Sequence, residues 1–307
     1  MTSPVGPATA PPARVRPLRA GLAINPYGFL HQGALGLPLL WRGPTPYIIS
    51  NDHVTVMSFA RYPDGSGVAP RQIYQPPVPG EDPARKWDLI AEAAQPGDYI
   101  PINPNGSNEL DAAVHQLLTE ASYADFDGGA YSPELAEPKV GMKLRLNNWQ
   151  DRGLSTTVTQ LDATLQVGGY GPLPTTFSGQ VVCQPGISRP GSSGSILFTE
   201  DGKPCALVFA GSNSMTVATP LSTVFARLNV TLMPPGQRVE DYFADAEAVY
   251  WYDRRRYWIF APGTPLREPI PLLQGHGYWV SAREPKLVTR PDGVVIRLAK
   301  GWNLTGW

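Results

Sequence analysis

Three residues spaced widely along the chain, His53, Asp111 and Ser193, are of the types that serine acyl transfer requires. A serine hydroxyl is a weak nucleophile until a neighbouring imidazole takes its proton. The imidazole in turn needs a buried carboxylate to fix its tautomer and stabilise its protonated form. Ser193 lies in Gly191-Ser192-Ser193-Gly194-Ser195, whose small residues permit a tight turn that exposes a hydroxyl. Such a turn can aim the N–H groups of Gly191 and Ser193 at one point, as an oxyanion hole. The same letters also suit a hairpin turn or a linker. Their flanks exclude the linker, because residues 180–183 and 195–198 are apolar and strand-like. The hairpin signal Glu200-Asp201-Gly202-Lys203 then leads into the apolar run 205–210.

His53 ends "YIISNDHV", an apolar strand running into polar residues, which places the imidazole at a strand end; a turn-capping histidine is the alternative. His31, His115 and His276 lack this setting. Asp111 follows the turn-forming stretch 103–108 and precedes Ala112-Ala113-Val114. It also reads as the N-cap of a helix with Leu110, Val114, Leu117 and Leu118 as its stripe. Asp52, Asp125 and Asp127 are rival carboxylates, Asp52 the weakest because adjacent strand residues point to opposite faces.

Such residues need a scaffold of short strands. Met142, Leu144 and Leu146 alternate with Lys143 and Arg145, a half-buried strand pattern, and residues 155–159 and 164–167 continue it. Residues 220–228 predict a helix with Pro220 near its start, and 87–94 a short helix after a long loop over 61–88. Glycine (31) and proline (34) make up about a fifth of the 307 residues, below the roughly 25–30% of low-complexity chains. That punctuation suits many strands joined by turns, an all-β class. Residues 1–20 read as a proline-rich disordered arm without the apolar core of a secretory signal, which points to a cytoplasmic location.

The order His53, Asp111, Ser193, together with "YIISNDHV", "IYQPPVPGED", "SNELDAAV", "RPGSSGSILF" and "ALVFAGSNSMTVATPLSTVFARL", resembles chymotrypsin/trypsin-like serine peptidases. More closely it resembles a branch found in bacteria and plants, with blocks like "LSNNHV", "NxxDAA", "GDSGS" and "GLxFAGS…ANPI". The resemblance runs from about residue 21 to 232. It implies a chymotrypsin-like double β-barrel with a terminal helix over 21–235, the barrels at about 21–128 and 140–235. It further implies a cofactor-independent endopeptidase acting on proteins or peptides, with Ser193 attacking, His53 shuttling the proton and Asp111 orienting it. The segment 208–212, with Ala210, Gly211 and Ser212, would line extended substrate, and Ile187 would lie near the floor of the primary pocket. Two blocks depart from the pattern: Ser192 replaces an aspartate, and "NWQDRGLSTTVT" stands where "GRTTGxTxG" is expected.

Five of the eight tryptophans follow residue 245, where runs such as "AVYWYD", "GYWVSA" and "GWNLTGW" predict a small β module over 246–307. It resembles the "GYWV…GWNLIGW" modules appended to various bacterial proteins. In so small a unit aromatics mostly supply the core, and they could also meet a protein or glycan partner. Homo-oligomerisation is compatible with the sequence. Net charge is −1 with no basic stripe, so nothing indicates a nucleic-acid partner. No apolar run approaches the roughly 18 residues of a membrane span. Cys183 and Cys205 read as two buried thiols or one bridge, and no spacing suits a metal site or a nucleotide cofactor. Against the peptidase stand a catalytically silent binding scaffold on the same fold and an assembly protein working through the aromatic module.

Overall fold

The computed structural model describes residues 13–29, 32–43, 45–57, 71–77, 88–119, 121–129, 131–132, 134–232, 239–253, 256–264, 270, 272, 276–290 and 293–307. Among the described residues strand far exceeds helix. In order the elements are β1 (Ala23–Pro26), β2 (Gly33–Ala34), β3 (Leu40–Arg42), β4 (Thr45–Ser50), α1 (Asp52–Thr55), β5 (Ile73–Tyr74), β6 (Leu89–Ala91), β7 (Ser107–Asn108) and β8 (Ala113–Gln116). There follow β9 (Lys143–Leu146), β10 (Leu154–Val167), β11 (Thr175–Gln184), β12 (Ile196–Thr199), β13 (Pro204–Gly211), β14 (Thr216–Pro220) and α2 (Leu221–Leu228). Last come α3 (Val239–Phe243), β15 (Ala248–Asp253), β16 (Arg256–Phe260), β17 (Gly277–Ala282), β18 (Lys286–Thr289), β19 (Val295–Leu298) and β20 (Gly301–Gly306). The chain divides into two compact units, one of Met1–Leu40, Pro46–Tyr131 and Leu135–Val230, the other of Trp41–Thr45, Ser132–Glu134 and Thr231–Trp307.

The first unit holds two closed barrels, the double-barrel architecture that the resemblance implies. In the first, β1 pairs antiparallel with β2 and β5, and β5 pairs with β6. β6 meets the end of β8 through the Ala91–Leu117 bridge, and β8 pairs with β4 from Tyr47–Gln116 to Ser50–Ala113. The ring closes where the Gly36 N–H donates to Ile49 O (2.8 Å) and the Ile49 N–H to Leu37 O (3.1 Å). Ile24, Leu35, Leu37, Ile49, Ile73, Ile90 and Val114 are fully buried. In the second barrel β9 to β14 form a ring in the order β10, β9, β12, β13, β14, β11, closed by β10 on β11. Its core is Leu144, Leu146, Val158, Val181, Leu197 and Val208 with Cys183 and Cys205. The alternation read at 142–146 appears as β9, with Leu144 and Leu146 inside. In α2 the buried residues are Leu221, Val224, Phe225 and Leu228, one face of a helix that ends on left-handed Asn229.

Three expectations are corrected. Residues 89–91 are a strand rather than part of a helix, because their amides and carbonyls are taken by β5 and the end of β8; Trp87 lies outside the described residues. The expected loop over 61–88 contains β5, although most of it is outside the described residues. The end of the expected arm is ordered: Leu18 is fully buried and bridges Ala121, and the Gln75 side chain bonds Val15 and Arg16. Residues 1–12 lie outside the described set.

In the second unit β16, β15, β17 and β20 form an antiparallel sheet, and β18 and β19 a hairpin. Trp251, Tyr278, Phe243 and Trp307 are buried, as a small core requires, whereas Tyr252, Tyr257, Trp279 and Trp302 are exposed. Among the described residues no helix is long and apolar enough to cross a membrane.

Candidate active site

β4 delivers His53. After Ser50 the chain leaves the sheet, Asn51 O accepts the N–H groups of Val54 (3.2 Å) and Thr55 (3.1 Å), and the single turn α1 results. His53 is thus on a helical turn just past the strand end, with about a quarter of its side chain (24%) exposed. Asp111 precedes β8, the ladder neighbour of β4, so strand pairing and not a helix sets its position. It is fully buried. Asn51 Nδ2 donates to Asp111 O (2.6 Å), and the His53 backbone N–H donates to Asp111 Oδ1 (3.0 Å). His53 Nδ1 is in hydrogen-bond contact with Asp111 Oδ2. The carboxylate oxygen accepts, so Nδ1 carries the proton and Nε2 is left as the acceptor.

Burial by itself lowers the His53 pKa. The charge and hydrogen bond of Asp111, with a smaller push from Asp52, outweigh that effect and hold the imidazole above its usual 6.5. Two of the three rival carboxylates are engaged elsewhere. Asp125 accepts from the Gly129 N–H (2.8 Å) and pairs with Arg145 (3.4 Å), and Asp127 pairs with Arg152 (3.7 Å).

Ser193 occupies a turn with Gly191 at φ +93° and Gly194 at φ +92°, left-handed conformations that favour glycine. At Gly194 a Cβ would lie 2.1 Å from Ala34 O, so a side chain there would force the barrels apart. The turn is stitched to the first barrel by the Ala34 N–H on Ser193 O (2.7 Å) and to the second by the Gly194 N–H on Val208 O (2.9 Å). A Cβ on Gly33 would meet Val54 Cγ1 at 2.6 Å and Ser193 O at 3.0 Å. One glycine therefore separates the turn of Ser193 from the residue next to His53. Among the described residues neither the Gly191 nor the Ser193 N–H donates to a protein acceptor, and Ser193 Oγ makes no hydrogen bond to His53.

The remaining site residues lie on two adjacent strips. A Cβ on Gly211 would lie 2.0 Å from Ser188 Oγ, and one on Gly186 2.2 Å from Ser212 O. Thr216 Oγ1 accepts from the Ile187 and Ser188 N–H groups (2.9 and 3.1 Å). Ile187 is half-buried against the second-barrel core, and half-buried Ala210 follows the buried part of β13 ahead of exposed Gly211 and Ser212.

Sequence reasoning missed two sets of residues. Tyr170 donates to Asp111 Oδ2 (2.5 Å) from 59 residues away, a separation that no local pattern reports. The segment 148–151, inside the stretch noted above as departing from the resemblance, supports the turn of Ser193. Asn148 Nδ2 donates to Ser195 Oγ (3.0 Å), Trp149 Nε1 to Gly191 O (3.2 Å) and Gln150 Nε2 to Pro190 O (2.9 Å). Asp151 pairs with Arg189, whose N–H donates to the Oγ of buried Ser192 (3.2 Å). Cys183 and Cys205 are free and buried, and burial pushes both thiols up to about 12. Among the described residues no group of three or more histidine, cysteine or acidic side chains is placed to hold a metal.

No protein-family description matches the sequence, and no curated protein matches it. Among solved structures the chain is similar to an alpha-lytic protease homolog, N4, at 17% identity and TM-score 0.49, covering 70% of this chain and 98% of that one. It is also similar to Thermobifida fusca protease A, at 10% identity and TM-score 0.45 over 69% and 96% of the two chains. A Nocardiopsis protease is similar at 12% identity and TM-score 0.44, over 69% and 97%.

Proposed function

We propose that the chain is a serine endopeptidase. One observation carries the reading: a fully buried carboxylate, Asp111, holds His53 by both its backbone and its ring, and Gly33 packs against both Val54, the residue after His53, and the carbonyl of Ser193. In this reading His53 Nε2 takes the Ser193 proton as Oγ attacks the scissile carbonyl, and Asp111 stabilises the imidazolium that forms. The Gly191 and Ser193 amides, which have no protein acceptor among the described residues, bind the oxyanion. His53 then gives its proton to the leaving amine, and water repeats the sequence on the acyl-enzyme to release the acid and regenerate Ser193.

Ala210, Gly211 and Ser212, within 208–212, would pair with the extended substrate backbone, and Ile187 would sit near the floor of the pocket for the residue before the cut. None of them carries a charge, so a lysine or arginine entering would lose hydration with no counter-ion. Small or apolar residues are the expected preference, and a peptide-library profile dominated by lysine or arginine would exclude it.

The decisive experiment is labelling with a fluorophosphonate followed by mapping of the modified residue. Label should sit on Ser193 and vanish in Ser193→Ala, with the fold retained. Label on Ser192 or Ser195, or none on the folded wild-type protein, rejects the assignment and leaves a binding scaffold on a peptidase fold.

A further inference from the structure

We infer that Tyr170 is a positioning residue of this centre, its phenol sharing the Asp111 carboxylate with His53 and so setting the basicity of the imidazole. The inference rests on the peptidase reading above. The phenol O–H donates to Asp111 Oδ2 at 2.5 Å, the oxygen that also faces His53 Nδ1, and the phenol oxygen is 3.4 Å from Nδ1. The tyrosine and imidazole rings meet edge to face, with centroids 5.7 Å apart and planes at 83°. The contact therefore fixes the plane of the imidazole as well as its partner.

The phenol is held in place from behind. Tyr170 lies between β10 and β11 and is 4% exposed. Its ring packs on Phe177 (5.0 Å), and Phe177 on Phe209 (4.9 Å), within a cluster completed by Ile102 and Val217. The second barrel thus aims a donor at a carboxylate of the first. Burial, then the charge of Asp111, push the phenol far above its usual range, so it stays protonated and remains a donor at every working pH.

Asp111 Oδ2 therefore serves two donors, and Oδ1 accepts the His53 backbone N–H. A carboxylate whose charge is divided among three donors attracts the imidazolium less than one that faces the ring alone. Removing the phenol oxygen should accordingly raise the His53 pKa and loosen the ring.

Tyr170→Phe keeps the aromatic packing and deletes only the donor. Turnover should fall by about tenfold with KM little changed, the size expected for one charge-assisted hydrogen bond. The acid limb of kcat/KM should move up by about half a pH unit. NMR titration of the His53 ring, which needs no turnover, should show the same upward shift in the folded protein. An unmoved His53 pKa and pH profile would overturn the proposal, even if activity fell. Should Tyr170→Phe fail to fold, site-specific 3-fluorotyrosine at 170, a stronger donor of nearly equal size, should move the His53 pKa down, and no movement is again a refutation. If the wild-type protein does not take fluorophosphonate, the peptidase reading fails, and the NMR shift still decides the role of Tyr170.

Discussion

Two histidines on neighbouring strands of the first barrel are driven in opposite directions. His53 follows β4 and His115 lies in β8, which pairs with β4. Burial lowers the pKa of both. At His53 the Asp111 carboxylate reverses the sign. At His115 the opposing groups are only the Glu92 carbonyl, which accepts from Nδ1 at 3.0 Å, and the smaller effect of the Asp98 charge, and the pKa falls to about 4. His115 is wholly inside, and among the described residues its Nε2 has no hydrogen-bond partner. A paired carboxylate and an opening to solvent keep a ring protonatable near neutral pH; enclosure alone keeps it neutral.

The comparison breaks most visibly at the carboxylate. Asp111→Asn should lower kcat/KM by about four orders of magnitude, through loss of the tautomer and of imidazolium stabilisation. His115→Leu should leave kcat/KM per folded molecule unchanged. Equal losses in steady-state assays normalised to folded protein would show that the two histidines are not distinct.

Stability against acid should then separate them. The folded pKa of His115 lies below its unfolded value, so the unfolded chain binds more protons between pH 6.5 and about 4, and stability falls as pH drops through that window. The full cost is on the order of 3 kcal/mol. Denaturant titrations of the wild type should show this slope, and His115→Leu should flatten it. His53 has the reverse sign: its raised pKa contributes stability that is complete below 6.5 and lost as pH rises through the folded value. The smallest effect is the position of the kcat/KM acid limb, which should lie above 6.5 in the wild type and move down in Asp111→Asn wherever residual activity can be measured.

Much of this arrangement was legible because it is local. Leu144 and Leu146 alternate with charged residues, and Leu221, Val224, Phe225 and Leu228 repeat at helical spacing, so β9 and α2 are readable from their own residues. His53 and Asp111 stand in stretches with turn and strand signals of their own. Residues 89–91 are too short an apolar run to fix a period, and only pairing with β5 and β8 makes them a strand. Tyr170 and the segment 148–151 act across 59 and about 40 positions, through contacts that the two closed rings create. Ser192 reads in sequence, against the resemblance, as a missing carboxylate. In the fold an ion pair between Asp151 and Arg189 stands beside it instead.

The bond from the Ala34 amide to the Ser193 carbonyl makes that amide a natural reporter. It joins the first barrel to the turn of Ser193, so its exchange with deuterium measures how often the two rings part there. An Ala34 amide that exchanges as slowly as amides deep in β13 would mean that the site opens only with the whole body. Faster exchange would mean that the seam parts while both barrels stay intact, so that the reactive geometry exists for only a fraction of the time.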